Sequence, residues 1–129
     1  PAEIYQVFEA KFVGIKTPYQ IVEVHFKQVN GITAEITTYY EGEKIVTTAS
    51  GNGRLNAVSN ALKKAYGFQY KLITYQEHAL TISSSSSAIA YVGIQTPDGK
   101  VHWGAAIDPD IIHASIDALL TAINHSVRE

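Results

Sequence analysis

The hydropathy pattern of this chain changes period twice, and each change falls at the same point of the same plan. Leu55, Val58, Ala61, Leu62 and Ala65 recur at helical spacing after a series of strand-like runs. Roughly 55 residues later Ile112, Ile116, Leu119, Leu120 and Ile123 do so again, after a second series. Within the runs the period is two: over 21–27, Glu23, His25 and Lys27 alternate with Val22, Val24 and Phe26, as in a sheet wet on one side. Turn signals separate the runs. Asn30-Gly31 and Glu41-Gly42-Glu43 bound strands near 32–40 and 44–50, and Pro97-Asp98-Gly99 joins strands near 88–96 and 100–107 that follow one near 68–81.

A three-strand series followed by a helix, twice over, is an internal duplication. It predicts an α+β fold of β-β-β-α units, with both helices packed on one face. A further run at 4–13, with Ile4, Phe8, Ala10 and Phe12 opposite Glu9 and Lys11, adds an N-terminal strand that Thr17-Pro18 ends. The expected organisation is one domain over 1–129, its first unit at about 19–67 and its second at about 68–125. The Ser83 to Ser87 run reads as a flexible loop inside the second unit. Gly67 stops the first helix behind Lys63 and Lys64, and at the second helix Asp108 is placed to cap with Pro109 at the first helical position.

Composition removes several classes of function. With 46% hydrophobic and 17% charged residues in 129, the chain has the makings of a core. A formal net charge of -2 without runs of like charge gives no footprint for nucleic acid or an anionic membrane surface. No apolar stretch approaches the length of a membrane span, and no signal peptide is read at the N-terminus. The abrupt start at Pro1 suggests a piece of a longer chain. The absence of cysteine excludes disulfides, thiolate chemistry and Cys-based zinc sites, and the default compartment is cytoplasmic.

No catalytic constellation stands out. The histidines His25, His78, His102, His113 and His125 form neither a helical HxxxH pair nor HExxH, so no metal site is expected. Glu77 and His78 are adjacent, but neighbours on a strand point to opposite faces, which argues against an acid and base pair. The serine run lacks a G-x-S-x-G elbow, and Gly51-Asn52-Gly53 lacks the spacing of a dinucleotide or P-loop fingerprint. Two readings of those glycines stay open. They make the turn from strand to helix, or they bare amide N–H groups at the positive helix end for a small anion such as a carboxylate.

Four stretches in order, "SGNGRLNAVSNAL", "YQEHAL", "AIAYVGI" and "VHWGAAIDPDIIHASIDALLTAIN", resemble the C-terminal regulatory domain of α-isopropylmalate synthase. They cover 44–125, and the first forty residues match in strand pattern alone. The resemblance implies paired β-β-β-α units that form a homodimer, bind leucine as effector at the dimer interface, and attach to a catalytic domain. That parent domain is expected to use a divalent metal, whereas no cofactor and no catalytic residue is expected in the regulatory domain itself. Carried over by position, the effector site implied is Gly51, Asn52, Gly53, Leu55 and Asn56, then Leu72, Tyr75 and Ala79, then Ser86 and Ala88. Arg54 stands where the family commonly has proline. Asp108 and Asp110 serve either as caps of the second helix or as partners of the ligand ammonium. Related alternatives are the isoleucine-binding domain of citramalate synthase and a purely structural dimerisation domain.

Overall fold

In the computed structural model of the chain, residues 8–11, 19–28, 31–82 and 85–128 are described. The elements run β1 (Phe8–Lys11), β2 (Tyr19–Gln28), β3 (Ile32–Tyr40), β4 (Glu43–Gly51), α1 (Arg54–Tyr66), β5 (Lys71–Ile82), β6 (Ser85–Gln95), β7 (Val101–Asp108) and α2 (Ile111–Arg128). They form two compact units that divide between Phe68 and Gln69. The first holds an antiparallel sheet in the order β1-β2-β3-β4, the second an antiparallel sheet in the order β5-β6-β7. The fold is therefore α+β, with a duplicated β-β-β-α unit and an additional first strand, as the two changes of period predict. Each helix lies on one face of its own sheet, α1 against β3 and β4 and α2 against β6 and β7.

The duplication extends to an irregularity that no periodicity announces. In β2 the ladder slips between Ile21, paired with Thr38, and Glu23, paired with Thr37. In β5 it slips between Leu72, paired with Ile94, and Thr74, paired with Gly93. An extra residue on one strand of a pair reverses the alternation of faces beyond it. Hence Ile21 and Val24, three residues apart, are both core positions, at 2% and 0% exposure. This corrects the strict alternation expected over 21–27: Ile21 takes the core place that period two assigns to Val22, which is half-buried.

The turns follow their residues. Glu41 and Gly42 both have positive φ, 50° and 81°, as the two-residue turn between β3 and β4 requires. Gly67, at φ 72°, closes α1 with its N–H on the Lys63 carbonyl at 2.7 Å. Asn30, part of the first turn signal, lies outside the described residues, as do Ile4, Phe12 and the Thr17-Pro18 end of the first run. The serine run is corrected: Ser85 to Ser87 belong to β6, where they pair with Leu80 to Ile82, and Ser83 and Ser84 lie outside the described residues. The strand continues through the serines because β5 offers a full ladder of N–H and C=O groups opposite them, which outweighs the loop preference of serine.

Ile36, Val24, Val58 and Leu62 fill the core of the first unit, and Val92, Ile94, Ile116, Leu119 and Ile123 that of the second. At the start of β2 Tyr19 stacks on Tyr40 at 4.5 Å and meets Tyr66 and Phe68 edge-on at 4.8 and 4.9 Å. The burial of α2 is broader than the apolar stripe predicted for it. Ala114, Ala118 and Ala122 are fully buried beside that stripe, so small residues let neighbouring backbone come close. Gly104 on β7 is one such neighbour: a Cβ built there would stand 2.0 Å from the Ala118 carbonyl oxygen and 2.6 Å from the Ala122 nitrogen.

Candidate functional site

The first group of site residues sits where β4 turns into α1. Gly51 is the last residue of β4 and pairs with Ile32. A Cβ at Gly51 would lie 2.5 Å from Asn56 Oδ1 and 2.6 Å from the Ala57 nitrogen, so this glycine lets the strand pass under the first helical turn. The turn is braced by Asn56, whose Oδ1 accepts the Asn52 N–H at 3.1 Å and a hydrogen from Asn60 Nδ2 at 3.4 Å. Asn60 Nδ2 also donates to the Ser50 carbonyl at 2.9 Å. Leu55, only 7% exposed, joins the core.

Gly53 is different. It is the N-cap of α1 with an extended backbone, φ -150° and ψ 177°, and its carbonyl accepts the Ala57 N–H at 2.9 Å. A Cβ there would meet nothing within 4 Å. No side chain caps this helix and no acidic residue occupies its first turn, while Lys63 and Lys64 lie in the last. The N–H groups of a first turn have no acceptor inside their own helix, and they carry the positive end of its dipole. The two glycines therefore differ: Gly51 is required by the passage of strand under helix, whereas the space beside Gly53 is open.

The corresponding corner of the second unit is built with acids. Asp110 Oδ1 accepts the N–H groups of Ile112 and His113 at 2.8 and 3.1 Å, and Asp108 Oδ1 accepts the Asp110 N–H at 2.9 Å. Asp108 Oδ2 lies 2.7 Å from His113 Nδ1. Of the two roles open to Asp108 and Asp110, the geometry holds capping. It corrects the register by two residues, however: Asp110 is the cap, and Pro109 lies before the helix because the chain bends at 109–110 before turning.

The second group lies on the sheet of the second unit. Leu72, Tyr75 and Ala88 pair with Ile94, Val92 and Ala79 respectively, and Ser86 pairs with Thr81. Ile94 and Val92 are fully buried on the face that carries α2, so Leu72 and Tyr75 share that face despite their odd spacing, a consequence of the extra residue Ile73. Because α2 packs on β6 and β7, Tyr75 on β5 keeps 39% of its surface exposed. Its hydroxyl donates to the Glu77 carboxylate and lies 2.8 Å from Ser115 Oγ on α2. Burial, together with the hydrogen bond to Glu77, raises the Tyr75 phenol above its ordinary value of 10.0. Ser115 and Glu77 are site neighbours that sequence reasoning missed. Helical spacing could have placed Ser115 beside Ile111 and Leu119, but not opposite a particular strand residue.

The residues that the resemblance assigns to the effector thus fall in two groups, one per unit. Glu77 and His78 do point apart: Glu77 meets Tyr75, while the His78 ring meets that of Tyr91 at 6.2 Å. Among the described residues no three His, Asp or Glu side chains group as a metal site, and no helix is long and apolar enough to cross a membrane. A groove lined by His25, Lys27, Thr33, Glu35 and Thr48 opens on the helix-free face of the first unit and contains none of the effector residues.

Comparison with known proteins gives these corners a context. The chain is similar to 2-isopropylmalate synthase of Desulfitobacterium hafniense, with 38% identity over 129 residues, which is 100% of this chain and 23% of that protein. It is similar to 2-isopropylmalate synthase of Helicobacter hepaticus, with 33% identity over 98% of this chain and 24% of that protein, and to that of Clostridium acetobutylicum, with 32% identity over 98% and 24%. The chain therefore spans about a quarter of the length of these relatives. Residues 1–127 match the LeuA allosteric (dimerisation) domain, and with that match over nearly the whole chain, a duplicated β-β-β-α architecture and similarity to three synthases, this chain belongs to the LeuA allosteric (dimerisation) domain family.

Proposed function

We propose that this chain is the leucine-binding regulatory domain of a 2-isopropylmalate synthase, that it acts as a homodimer in the cytoplasm, and that it reports leucine to a metal-dependent catalytic domain condensing acetyl-CoA with 2-oxoisovalerate. The observation that carries this reading is the contrast between the two helix starts. The start of α2 is occupied by the Asp110 carboxylate, whereas α1 begins at Gly53 with no side-chain cap and open space where a Cβ would be. A ligand carboxylate fits the second situation and is repelled by the first. In this reading the first turn of α1 takes the effector carboxylate. Leu72, Tyr75, Ala79, Ser86 and Ala88 are the strand residues that the family resemblance assigns to the effector, whose isobutyl group calls for a small apolar lining.

The test is a calorimetric titration of the chain with leucine, isoleucine and valine. Leucine is expected to bind tightest, although the shift of one methyl group is worth only about 1–3 kcal/mol of discrimination. At about 100 times the dissociation constant, leucine should add about 2.7 kcal/mol to the free energy of unfolding. Gly53→Val should remove this response and leave a cooperative melt, because the backbone at Gly53 is extended and its surroundings are open. A melting curve indifferent to millimolar leucine overturns the assignment.

A further inference from the structure

The corner between β4 and α1 holds Asn52, Asn56 and Asn60, and the last two are shielded from the reaction to which asparagine is prone. Both lie inside α1, where their amides brace the turn, and the N–H that follows Asn56, that of Ala57, is spent on the Gly53 carbonyl at 2.9 Å. Asn52 is placed otherwise. It is exposed, it precedes the helix, and among the described residues its side-chain amide makes no hydrogen bond. The N–H of the next residue, Gly53, has no acceptor among them either, since a helix offers none to its first residues. A Cβ at Gly53 would meet nothing within 4 Å, and glycine brings none of its own to crowd the nitrogen.

We propose that Asn52 is a site of spontaneous deamidation, and that the carboxylate it leaves at the start of α1 releases the domain from its effector; the second half rests on the reading of that helix start given above. The Gly53 nitrogen attacks Asn52 Cγ. An N–Cγ bond forms, the Cγ–Nδ2 bond breaks, and Nδ2 leaves as ammonia with the proton that Gly53 gives up. Water then opens the cyclic imide. Cleavage at Cγ leaves aspartate, and cleavage at the backbone carbonyl carbon leaves isoaspartate, in which the main chain runs through the former side chain. Either product exchanges a neutral amide for a negative charge, beside a helix end that has no side-chain cap and no acidic residue in its first turn.

The new charge acts where the proposed ligand does. A carboxylate on residue 52 competes for the first-turn N–H groups and repels the ligand carboxylate, and like charges a few ångströms apart at a protein surface cost about tenfold or more in affinity. The fold is spared, because Asn52 holds the helix through its backbone N–H on Asn56 Oδ1 at 3.1 Å, a contact that aspartate keeps. The change runs one way: sensitivity to the effector falls as the protein ages, and no step of the reaction restores the amide.

The chain, Asn52→Gln and Gly53→Val are incubated in warm, mildly alkaline buffer, where the attacking nitrogen loses its proton more readily, and followed by peptide mass mapping and ammonia release. Fresh and aged samples are titrated calorimetrically with leucine. The parent should gain acid at residue 52 as a mixture of aspartate and isoaspartate, while Asn56 and Asn60 stay unconverted in the folded chain. Asn52→Gln, whose longer side chain closes a less favoured ring, and Gly53→Val, whose branch crowds the nitrogen, should stay unconverted at this position. Fresh Asn52→Asp should bind leucine about tenfold or more weakly than fresh parent, and the tight sites of aged parent should fall in number as conversion rises. The mapping separates Asn52 from the other Asn-Gly pair, Asn30-Gly31, whose asparagine lies outside the described residues. Conversion confined to Asn30 overturns the site. Acid at residue 52 with leucine affinity unchanged overturns the regulatory consequence and leaves the leucine site standing. A fresh parent indifferent to leucine overturns the effector reading itself and that consequence with it, while the mass map still decides the chemistry.

Discussion

Gly51→Ala is a one-carbon test of the claim that the two glycines of the motif have different duties. The added Cβ would begin 2.5 Å from Asn56 Oδ1, 2.6 Å from the Ala57 nitrogen and 2.8 Å from the Asn56 carbonyl carbon. Two of those three atoms are helix backbone, which cannot swing aside as a side-chain end can. Ordinary contact therefore requires the first turn of α1 to retreat by about 1 Å, loosening the Leu55 and Val58 packing behind it. Overpacking of this kind costs about 1–3 kcal/mol, which for a chain of this size lowers Tm by about 8 °C at the middle of the range. Gly53→Ala is the internal control. With φ at -150° and no atom within 4 Å, its cost should stay below about 0.5 kcal/mol, the weaker cap preference of alanine being offset by a less flexible unfolded chain. Urea denaturation followed by circular dichroism reads both, the slope m being unchanged if only stability has moved. If Gly51→Ala unfolds at the same midpoint as the parent, or Gly53→Ala falls as far as Gly51→Ala, the separation of roles is wrong.

Gly53→Asp should give α1 the acidic cap that α2 already has, raising stability by about 0.5 kcal/mol while weakening leucine binding tenfold or more, because the new carboxylate competes for the same N–H groups and repels the ligand; calorimetry that finds binding undiminished places the effector carboxylate elsewhere. The Tyr75 phenol is raised by burial and by Glu77, so its contribution to stability is complete below about pH 10 and is lost as pH rises through the folded-state value. Tyr75→Phe should therefore lose stability less steeply than the parent above pH 10, and parallel curves for the two would refute that assignment.

The sequence made the β-β-β-α repeat legible because hydropathy period is a direct imprint of which face is buried, and both helices and the strands between the turn signals are found where the periods change. Three features escaped it for physical reasons. The irregularities at Val22 and Ile73 each insert one residue close to the start of a strand, which leaves too few residues before the insertion for the change of phase to show in the pattern. The serine strand is set by its partner β5, a tertiary effect that local preference cannot contain. The close approach at Gly104 is set by α2, whose Ala118 and Ala122 lie far along the chain. For the effector site, the glycine motif could be located from sequence, but Gly51 and Gly53 could not be told apart. What separates them is the distance to the next helical turn, which exists only in the folded chain.

Duplicated units that keep one backbone are a controlled comparison, since any difference in chemistry at matched positions is a difference of side chains. At the end of the third strand the pair is Gly51 and Asp108, and at the helix cap it is Gly53 and Asp110. The second unit thus caps its helix with a carboxylate, and the first has no side-chain cap at the same place. Opposite the middle strand the pair is Thr47 and Gly104, which brings α2 closer to its sheet than any side chain would permit. On the outer face the pair is Val46 and Trp103, among charges in the first unit and among apolar side chains in the second. The divergence has a direction: the second unit is capped at its helix start and apolar on its outer face, and the first is uncapped at its helix start and charged outside. Substitutions at four matched positions supply this divergence without any change of fold.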